Sequence, residues 1–501
     1  MPLFQKGAAC AAAWVTSGLL LAGCTAAPKP SAVSLRERPA APDAVSAAAD
    51  ESDAATVPRP SALRPSRIRL ATHEEAGGSA DVDETREATG SRADGARELF
   101  AQQFELSLPT LVAEVERRNP TLQAAIAAWA AASQRYPQAI ALEDPVFQSM
   151  LAPGSFPSAS SVQASYLVGV SQKIPWQGKR ALKGQIAQSE ANAAALDSEE
   201  ARLRLAEATR LAYYEYYLVR RNLELNAANR DAVERFRDTA KSKFEANQVP
   251  QQDVLQADVE LALLESRRIE LEQNHTIATA RINAFLHRQP QLPLPPPAHV
   301  LGGPSALPGV DSLREIAVER RPELKAQAAR IAAEEASVAL AAKEFYPDFE
   351  FMGRYDNFWT NVEQRGQIGM YMNIPLNQRR RRAAVDEALH RLMKMKAEYD
   401  AEVDSLRADV EAGFARLAGS DQTVRLYEST IIPAAAQNVD SATAGYEAGN
   451  VDFLRLVEAQ RQLIELLQKQ QDAIAIYHSR HAELERIVGV PIDAADVHEA
   501  R

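Results

Sequence analysis

The sequence predicts a mainly α-helical fold with a small membrane β part, built twice within one chain. Three observations carry that prediction. The first is self-similarity: Leu111 to Ala124 reads LVAEVERRNPTLQA and Leu313 to Ala326 reads LREIAVERRPELKA. The copies stay in step, with Tyr136-Pro137 returning as Tyr346-Pro347, Ile174-Pro175 as Ile374-Pro375, and the run Phe244 to Val249 as Tyr446 to Val451. A repeat this long is no solenoid; it describes two similar halves of one structure. The second observation is helical periodicity over very long stretches, with Leu203, Leu205, Leu211 and Leu218 in one copy and Val403, Leu406, Val410 and Leu417 in the other. The third is strand-like alternation at matching places in each half.

The elements follow in order. Residues 1–23 read as an export signal: Lys6 gives the positive start, and Ala8 to Leu21 is too short to span a bilayer as a stable anchor. The run ends in Leu21-Ala22-Gly23-Cys24, which resembles the bacterial lipoprotein box; the resemblance implies lipidation of Cys24. Thr25, in place of the aspartate of inner-membrane lipoproteins, implies sorting to the outer membrane. An ordinary signal peptide with an incidental cysteine is the alternative. The only other cysteine, Cys10, lies inside the signal, so the mature chain has no disulfide and no thiolate metal site. Residues 24–104 are rich in Ala, Pro, Ser and charge. They cannot bury enough apolar surface to offset their ordering entropy and read as a flexible tether.

Residues 105–290 form the first repeat, 291–308 a Pro-rich linker, 309–491 the second repeat and 492–501 a C-terminal tail. Each repeat begins with one helix, about 107–141 and 309–345. Two short strands follow, then a long helix over about 177–246 and 378–447, and a return helix over about 251–288 and 452–488. In the second half Phe349, Phe351, Gly353 and Tyr355 alternate with Asp348, Glu350, Met352 and Arg354; Ile368, Met370, Met372 and Ile374 alternate with Gln367, Gly369, Tyr371 and Asn373. In the first half Tyr166, Val168 and Val170 alternate with Leu167, Gly169 and Ser171. Strands of this kind suit a membrane barrel; an edge hairpin packed on helices is the competing reading.

Four strands cannot close a barrel, and lipid does not tolerate an open sheet edge. Three copies at four strands each give 12, a closed trimeric β-barrel wide enough for a pore. A helix of about 70 residues at 1.5 Å per residue reaches roughly 100 Å, the scale of a periplasm. The expectation is a trimeric 12-stranded β-barrel continuous with a long periplasmic α-helical barrel. The net charge of −11 argues against a nucleic-acid partner. No phosphate loop, nucleophile elbow or zinc motif is present in the sequence, so no enzyme and no cofactor is expected.

The duplicated strand–strand–hairpin order, the Ile-Pro strand exits before basic residues and the hairpin turns before Ala257 and Ala459 resemble the TolC family of outer-membrane efflux channels over about 105–490. The Cys24 box and the segment Gln248 to Ala257 look most like the heavy-metal resistance (CzcC- or CusC-like) branch. The resemblance implies a homotrimeric duct in the outer membrane, reached through a periplasmic adaptor by an inner-membrane pump. The resemblance further implies export of metal ions or small toxic compounds. A lipid-anchored periplasmic coiled-coil scaffold without a pore is the alternative.

The resemblance also implies sites. The turns Asn247-Gln248-Val249 and Gly449-Asn450-Val451 correspond to the family's adaptor-docking tip, although only the second keeps a glycine. Plain helix–helix turns would look the same. Asp253, Asp258, Asp452 and Glu458 would form acidic rings at the closed end, with Asp253 and Glu458 at the constriction and Arg455 pairing with a neighbouring acid. A solvated helix face would carry the same charges. Arg379, Arg380, Arg381 and Arg382, echoed by Lys179, Arg180 and Lys183, sit where a strand gives way to a helix and suit anchoring at the membrane interface. Tyr213, Tyr214, Tyr216 and Tyr217 read as helix packing. His478 and His481, one turn apart, are common by chance at that spacing and are not read as a metal site.

Overall fold

The computed structural model describes residues 104–152, 165–302, 308–359 and 361–492. Cys24, the signal and the tether fall outside them. The first half runs α1 Leu108–Arg118, α2 Pro120–Ser133, α3 Arg135–Ile140, β1 Val146–Ala152, β2 Ser165–Ile174, α4 Lys179–Glu245 and α5 Gln251–Phe285. The second runs α6 Val310–Arg320, α7 Pro322–Lys343, β3 Phe349–Asp356, β4 Gly366–Met372, α8 Gln378–Leu426, α9 Ile432–Glu447 and α10 Phe453–Val488. The long helices match the predicted spans to within a few residues.

The leading helix of each half is not continuous, contrary to the prediction. Pro120 and Pro322 break it at corresponding points. Proline restricts the residue before it to extended backbone, and Asn119 (ψ 123°) and Arg321 (ψ 122°) take that conformation. Each proline then opens a new helix at its first position, where its missing N–H costs nothing. Asn119 caps α2 by accepting from the Thr121 amide at 2.9 Å and donates to the Phe285 carbonyl at 3.1 Å. Gly489 ends α10 at φ 85°, and a side chain there would meet the Arg321 backbone at 3.2 Å, so the second break is packed against the end of the return helix.

The four strands form one antiparallel sheet in the order β1-β2-β3-β4. Strand β2 pairs with β3, so the two halves share a sheet: Val168 faces Tyr355 and Val170 faces Gly353. Register places Phe147, Leu151, Tyr166, Val168, Val170, Phe351, Tyr355, Ile368 and Met370 on one face. That face is exposed, Ile368 by 95%. Met352 and Asp356, on the other face, are buried. The alternation is cleanest in β3, whereas β1 and β4 also expose Val146, Met150 and Tyr371 on the opposite face. Strands β1 and β4 end the sheet without a partner among the described residues.

The helices repeat this logic. Near the sheet they lie in the order α2, α4, α7, α8; farther away the order is α5, α4, α10, then α8 and α9. Both are open arcs with a first-half helix at one edge and a second-half helix at the other. Two apolar clusters hold the middle, one around Tyr213, Tyr216, Ile282 and Leu286, the other around Leu406, Leu417, Leu484 and Ile487. Ile492, expected in the tail, is fully buried in the second cluster. The Pro-rich linker is docked rather than free. The Leu106 amide donates to the Pro296 carbonyl at 2.8 Å, and the Tyr216 hydroxyl donates to the Pro295 carbonyl at 3.1 Å. Among the described residues, no helix is long and apolar enough to cross a membrane.

Candidate functional site

The end of the hairpins farthest from the sheet holds the predicted docking turns. Both helices stop with the same backbone device. The Gln248 amide donates to the Lys243 carbonyl at 2.8 Å, and the Asn450 amide donates to the Gly445 carbonyl at 2.8 Å. Each closure needs a left-handed residue, supplied by Asn247 at φ 56° and Gly449 at φ 75°. Asparagine is the residue after glycine that tolerates this conformation best. The missing glycine in the first copy is therefore no departure in backbone shape. Asn247, Gln248, Gly449 and Asn450 are exposed, whereas Val249 and Val451 are half-buried.

Side chains tie the two turns together. Lys243 donates to the Glu447 carbonyl at 3.1 Å and also to that of Tyr446, and its ammonium lies 4.6 Å from the Tyr446 ring centre. The Tyr446 hydroxyl donates to Asp253 at 3.4 Å. Below them Phe453, Leu456, Val457, Ala240 and Ala257 form a small buried cluster. Burial raises the Asp253 carboxyl above the ordinary range; the Tyr446 hydrogen bond opposes this and the negative charge of Asp452 adds to it. Tyr446 is pushed up to about 12, first by burial and then by Asp253, so it keeps its proton and donates. Sequence reasoning missed Lys243 and Tyr446. Their link spans the two repeats and leaves no local pattern.

The other predicted gate residues are placed differently from expectation. Glu458 ion-pairs with Arg461 at 3.4 Å rather than with Arg455. The one-turn spacing on α10 brings Arg461 under Glu458, while Arg455 is exposed a turn nearer the tip. Arg461 also binds Glu260 at 2.7 Å, joining the return helices of the two halves. Asp258 and Asp452 are exposed.

At the junction of sheet and helices the basic residues split by half. Lys179, expected as a membrane anchor, is buried, with ion pairs to Asp348 at 3.0 Å and Glu344 at 3.3 Å. Arg180 donates to the Ile140 carbonyl at 2.8 Å. Both therefore hold elements together, Lys179 buried and Arg180 half-buried. Lys183, Arg379, Arg380 and Arg382 are exposed; Arg381 is spent on the Glu344 carbonyl at 2.6 Å. Trp176 stacks on Tyr346 at 5.1 Å and Phe349 at 5.8 Å at the same level.

The tyrosines pack as expected and also bind the linker. Tyr213 donates to the Leu106 carbonyl at 3.1 Å and accepts from the Ala298 amide at 3.1 Å. Tyr217 donates to Gln471 at 3.1 Å. His478 lies against Tyr214 and Tyr477, at 5.4 and 5.2 Å, and burial lowers its pKa. His481 sits 3.9 Å from Glu485. Among the described residues no three His, Cys, Asp or Glu side chains gather at metal-binding separation.

Comparison with known proteins agrees with this architecture. Residues 313–490 match the family model described as Outer membrane efflux protein. The cobalt-zinc-cadmium resistance protein CzcC of Cupriavidus metallidurans is 23% identical over 282 residues, which take in 56% of this chain and 66% of that protein. Among solved structures, CusC superposes with a TM-score of 0.66 at 15% identity, covering 77% of this chain and 93% of that one. The MtrE outer membrane channel of Neisseria gonorrhoeae gives 0.64 at 17% identity, covering 77% and 89%. These likenesses show a shared fold, extending over both halves of the chain. Over residues 313–490 the chain thus matches the outer membrane efflux protein family model, and it shares its fold with CusC and MtrE.

Proposed function

We propose that three copies of this chain close into a duct through the outer membrane, which carries substrate outward from a periplasmic pump assembly. The observation that carries the reading is the match between two sets of open edges. The sheet ends in a first-half strand, β1, and a second-half strand, β4. The helical arc likewise ends in first-half and second-half helices. Head-to-tail joining of unlike edges produces a ring when the rotation closes. It also removes the unpaired strand edges that lipid would not accept. The return helix α5 packs chiefly on α4 and exposes Leu255, Val259 and Leu263 at four-residue spacing, a stripe suited to a neighbouring copy. The apolar sheet face supports contact with lipid, and Cys24 would carry a further lipid anchor.

The turns at Asn247 to Val249 and Gly449 to Val451 suit docking of the periplasmic adaptor, being the exposed end of the hairpins. Asp253, with Glu458 and the neighbouring acids, would favour cations near that end. Similarity to a cobalt-zinc-cadmium resistance protein supports metal ions as cargo over other small toxic compounds; the pump would do most of the selecting. The competing scaffold reading predicts no pore. Purified protein in planar bilayers tests the choice: discrete conductance steps are expected, and a folded, membrane-inserted protein that never conducts would refute the duct.

A further inference from the structure

Arg379, Arg380, Arg381 and Arg382 open helix α8, where the helix dipole already presents positive charge. Four adjacent guanidinium groups at that end repel one another and the dipole. Elsewhere in the described chain most arginines lie against a carboxylate. Among the described residues none of these four does, and Asp386, one turn on, makes no ion pair with Arg382. Two other acids near this end, Asp348 and Glu344, already hold Lys179. Arg381 is occupied by the Glu344 carbonyl. Arg379, Arg380 and Arg382 project into solvent with uncompensated charge.

Their surroundings indicate what compensates it. The chain immediately before them exposes Ile374 by 66% and Leu376 by 83%, and the apolar sheet face continues through Met370 and Met372. The aromatic stack of Trp176, Tyr346 and Phe349 lies at the same end of the sheet. Amphipathic rings of this kind mark the boundary between hydrocarbon and headgroups. A surface that is apolar on the sheet side and strongly cationic one step beyond fits a molecule that is hydrocarbon at one end and anionic at the other.

We propose that Arg379, Arg380 and Arg382 bind the phosphate of an anionic glycerophospholipid in the periplasmic leaflet, with Ile374 and Leu376 against its acyl chains. Planar guanidinium groups suit phosphate oxygens in pairs. Each chain would carry one site, on the second half only. The first half places Ala181 and Leu182 where the second has Arg381 and Arg382, and it turns Lys179 and Arg180 inward. The inference rests on the reading that the sheet faces lipid.

The test uses full-length protein, exchanged into detergent micelles containing either phosphatidylglycerol or phosphatidylcholine, with retained lipid counted by native mass spectrometry. Wild type should retain phosphatidylglycerol preferentially. Each basic residue at an anionic surface contributes about fivefold, so R379Q/R380Q/R382Q should weaken retention by roughly a hundredfold. R407Q, on the exposed middle of α8, should leave it unchanged. If the triple variant misfolds, the single variant R382Q should still lower retention about fivefold. Equal retention of both lipids by wild type, or an unchanged preference in R382Q and the triple variant, overturns the proposal. So does equal competition by inorganic phosphate, which would make the site one for the free anion. Reconstitution into phosphatidylcholine bilayers separates this failure from that of the duct. Protein that inserts and conducts there without preferring phosphatidylglycerol refutes only the lipid site. Protein that enters no bilayer refutes the barrel reading itself.

Discussion

The two halves follow one plan but use it differently, and the junction between sheet and helix shows this best. In the first half Lys179 is buried between Asp348 and Glu344, so a first-half cation locks onto the segment that leads into the second-half strand β3. In the second half Arg379, at the same position after the Ile-Pro exit, is exposed. The long helices differ as well. Helix α4 runs unbroken, whereas the second copy widens into a π turn at Tyr427–Ile431 just before Pro433. Proline cannot supply the N–H that a regular turn needs there, and the first copy has Asp231 in that place. Duplication supplies the architecture. Divergence at single positions then assigns one half to holding the chain together and the other to facing outward.

The largest expected effect separates the two cations. Lys179→Met leaves Asp348 without its buried partner and should destabilise the protein by about 3–5 kcal/mol. Arg379→Met, at the equivalent exposed position, should stay within about 0.5 kcal/mol. Thermal unfolding of both variants checks the contrast, and similar midpoints would remove it.

Next comes the tyrosine belt, present only in the first half. Tyr213→Phe removes the hydroxyl that bridges Leu106 and Ala298, leaving a buried carbonyl and amide without that partner. The expected cost is about 1–3 kcal/mol, with faster proteolysis of the linker around 290–302. Unchanged linker protection would mean that the polyproline segment is held by its backbone contacts alone.

Much of this was legible in the sequence because the repeat and the periodicities are long-range patterns of local signals. The long helices were placed to within a few residues, and the alternation of Ile368, Met370 and Met372 identified one exposed apolar face of β4. The helix breaks at Pro120 and Pro322 were present as prolines but were outweighed by the flanking helix formers. Lys179 could not be sorted from Arg379 by sequence. Its fate depends on Asp348, which folding brings close from the other half. The same limit hid Lys243, Tyr446 and Arg461, each of which acts across the repeat. Arg455 was expected to pair with a neighbouring acid, yet Glu458 pairs with Arg461, one turn away on the other side.

The tip offers a subtler contrast through pH. Burial and Asp452 raise the Asp253 pKa above that of the unfolded chain, so folding favours the protonated form. That contribution is complete below the usual value of about 4 and is lost as pH rises through the raised value. Hydrogen exchange at the tip, corrected for its intrinsic pH dependence, should therefore speed up across that interval in wild type. In Asp253→Asn the change should flatten. The same substitution combined with Glu458→Gln should lower the cation-to-anion permeability ratio, and an unaltered ratio would make these carboxylates a solvated face.

The smallest effect lies in the turns. Asn247→Gly relieves a left-handed asparagine and should stabilise by a few tenths of a kcal/mol, while Gly449→Ala should cost about 1 kcal/mol. Opposite signs in the unfolding midpoints are expected; equal signs would mean that the two turns do not share one backbone solution.

The account depends most on unlike edges meeting between copies, and cysteine cross-linking across β1 and β4 tests that directly. With Cys24 left unchanged, Ile368→Cys on β4 is combined in turn with cysteines at Phe147, Ser149 and Leu151 on β1. At one register the account predicts interchain disulfides that yield a covalent species of three chains and none larger. No interchain product at any register, or a ladder running past three chains, would contradict a closed trimeric barrel.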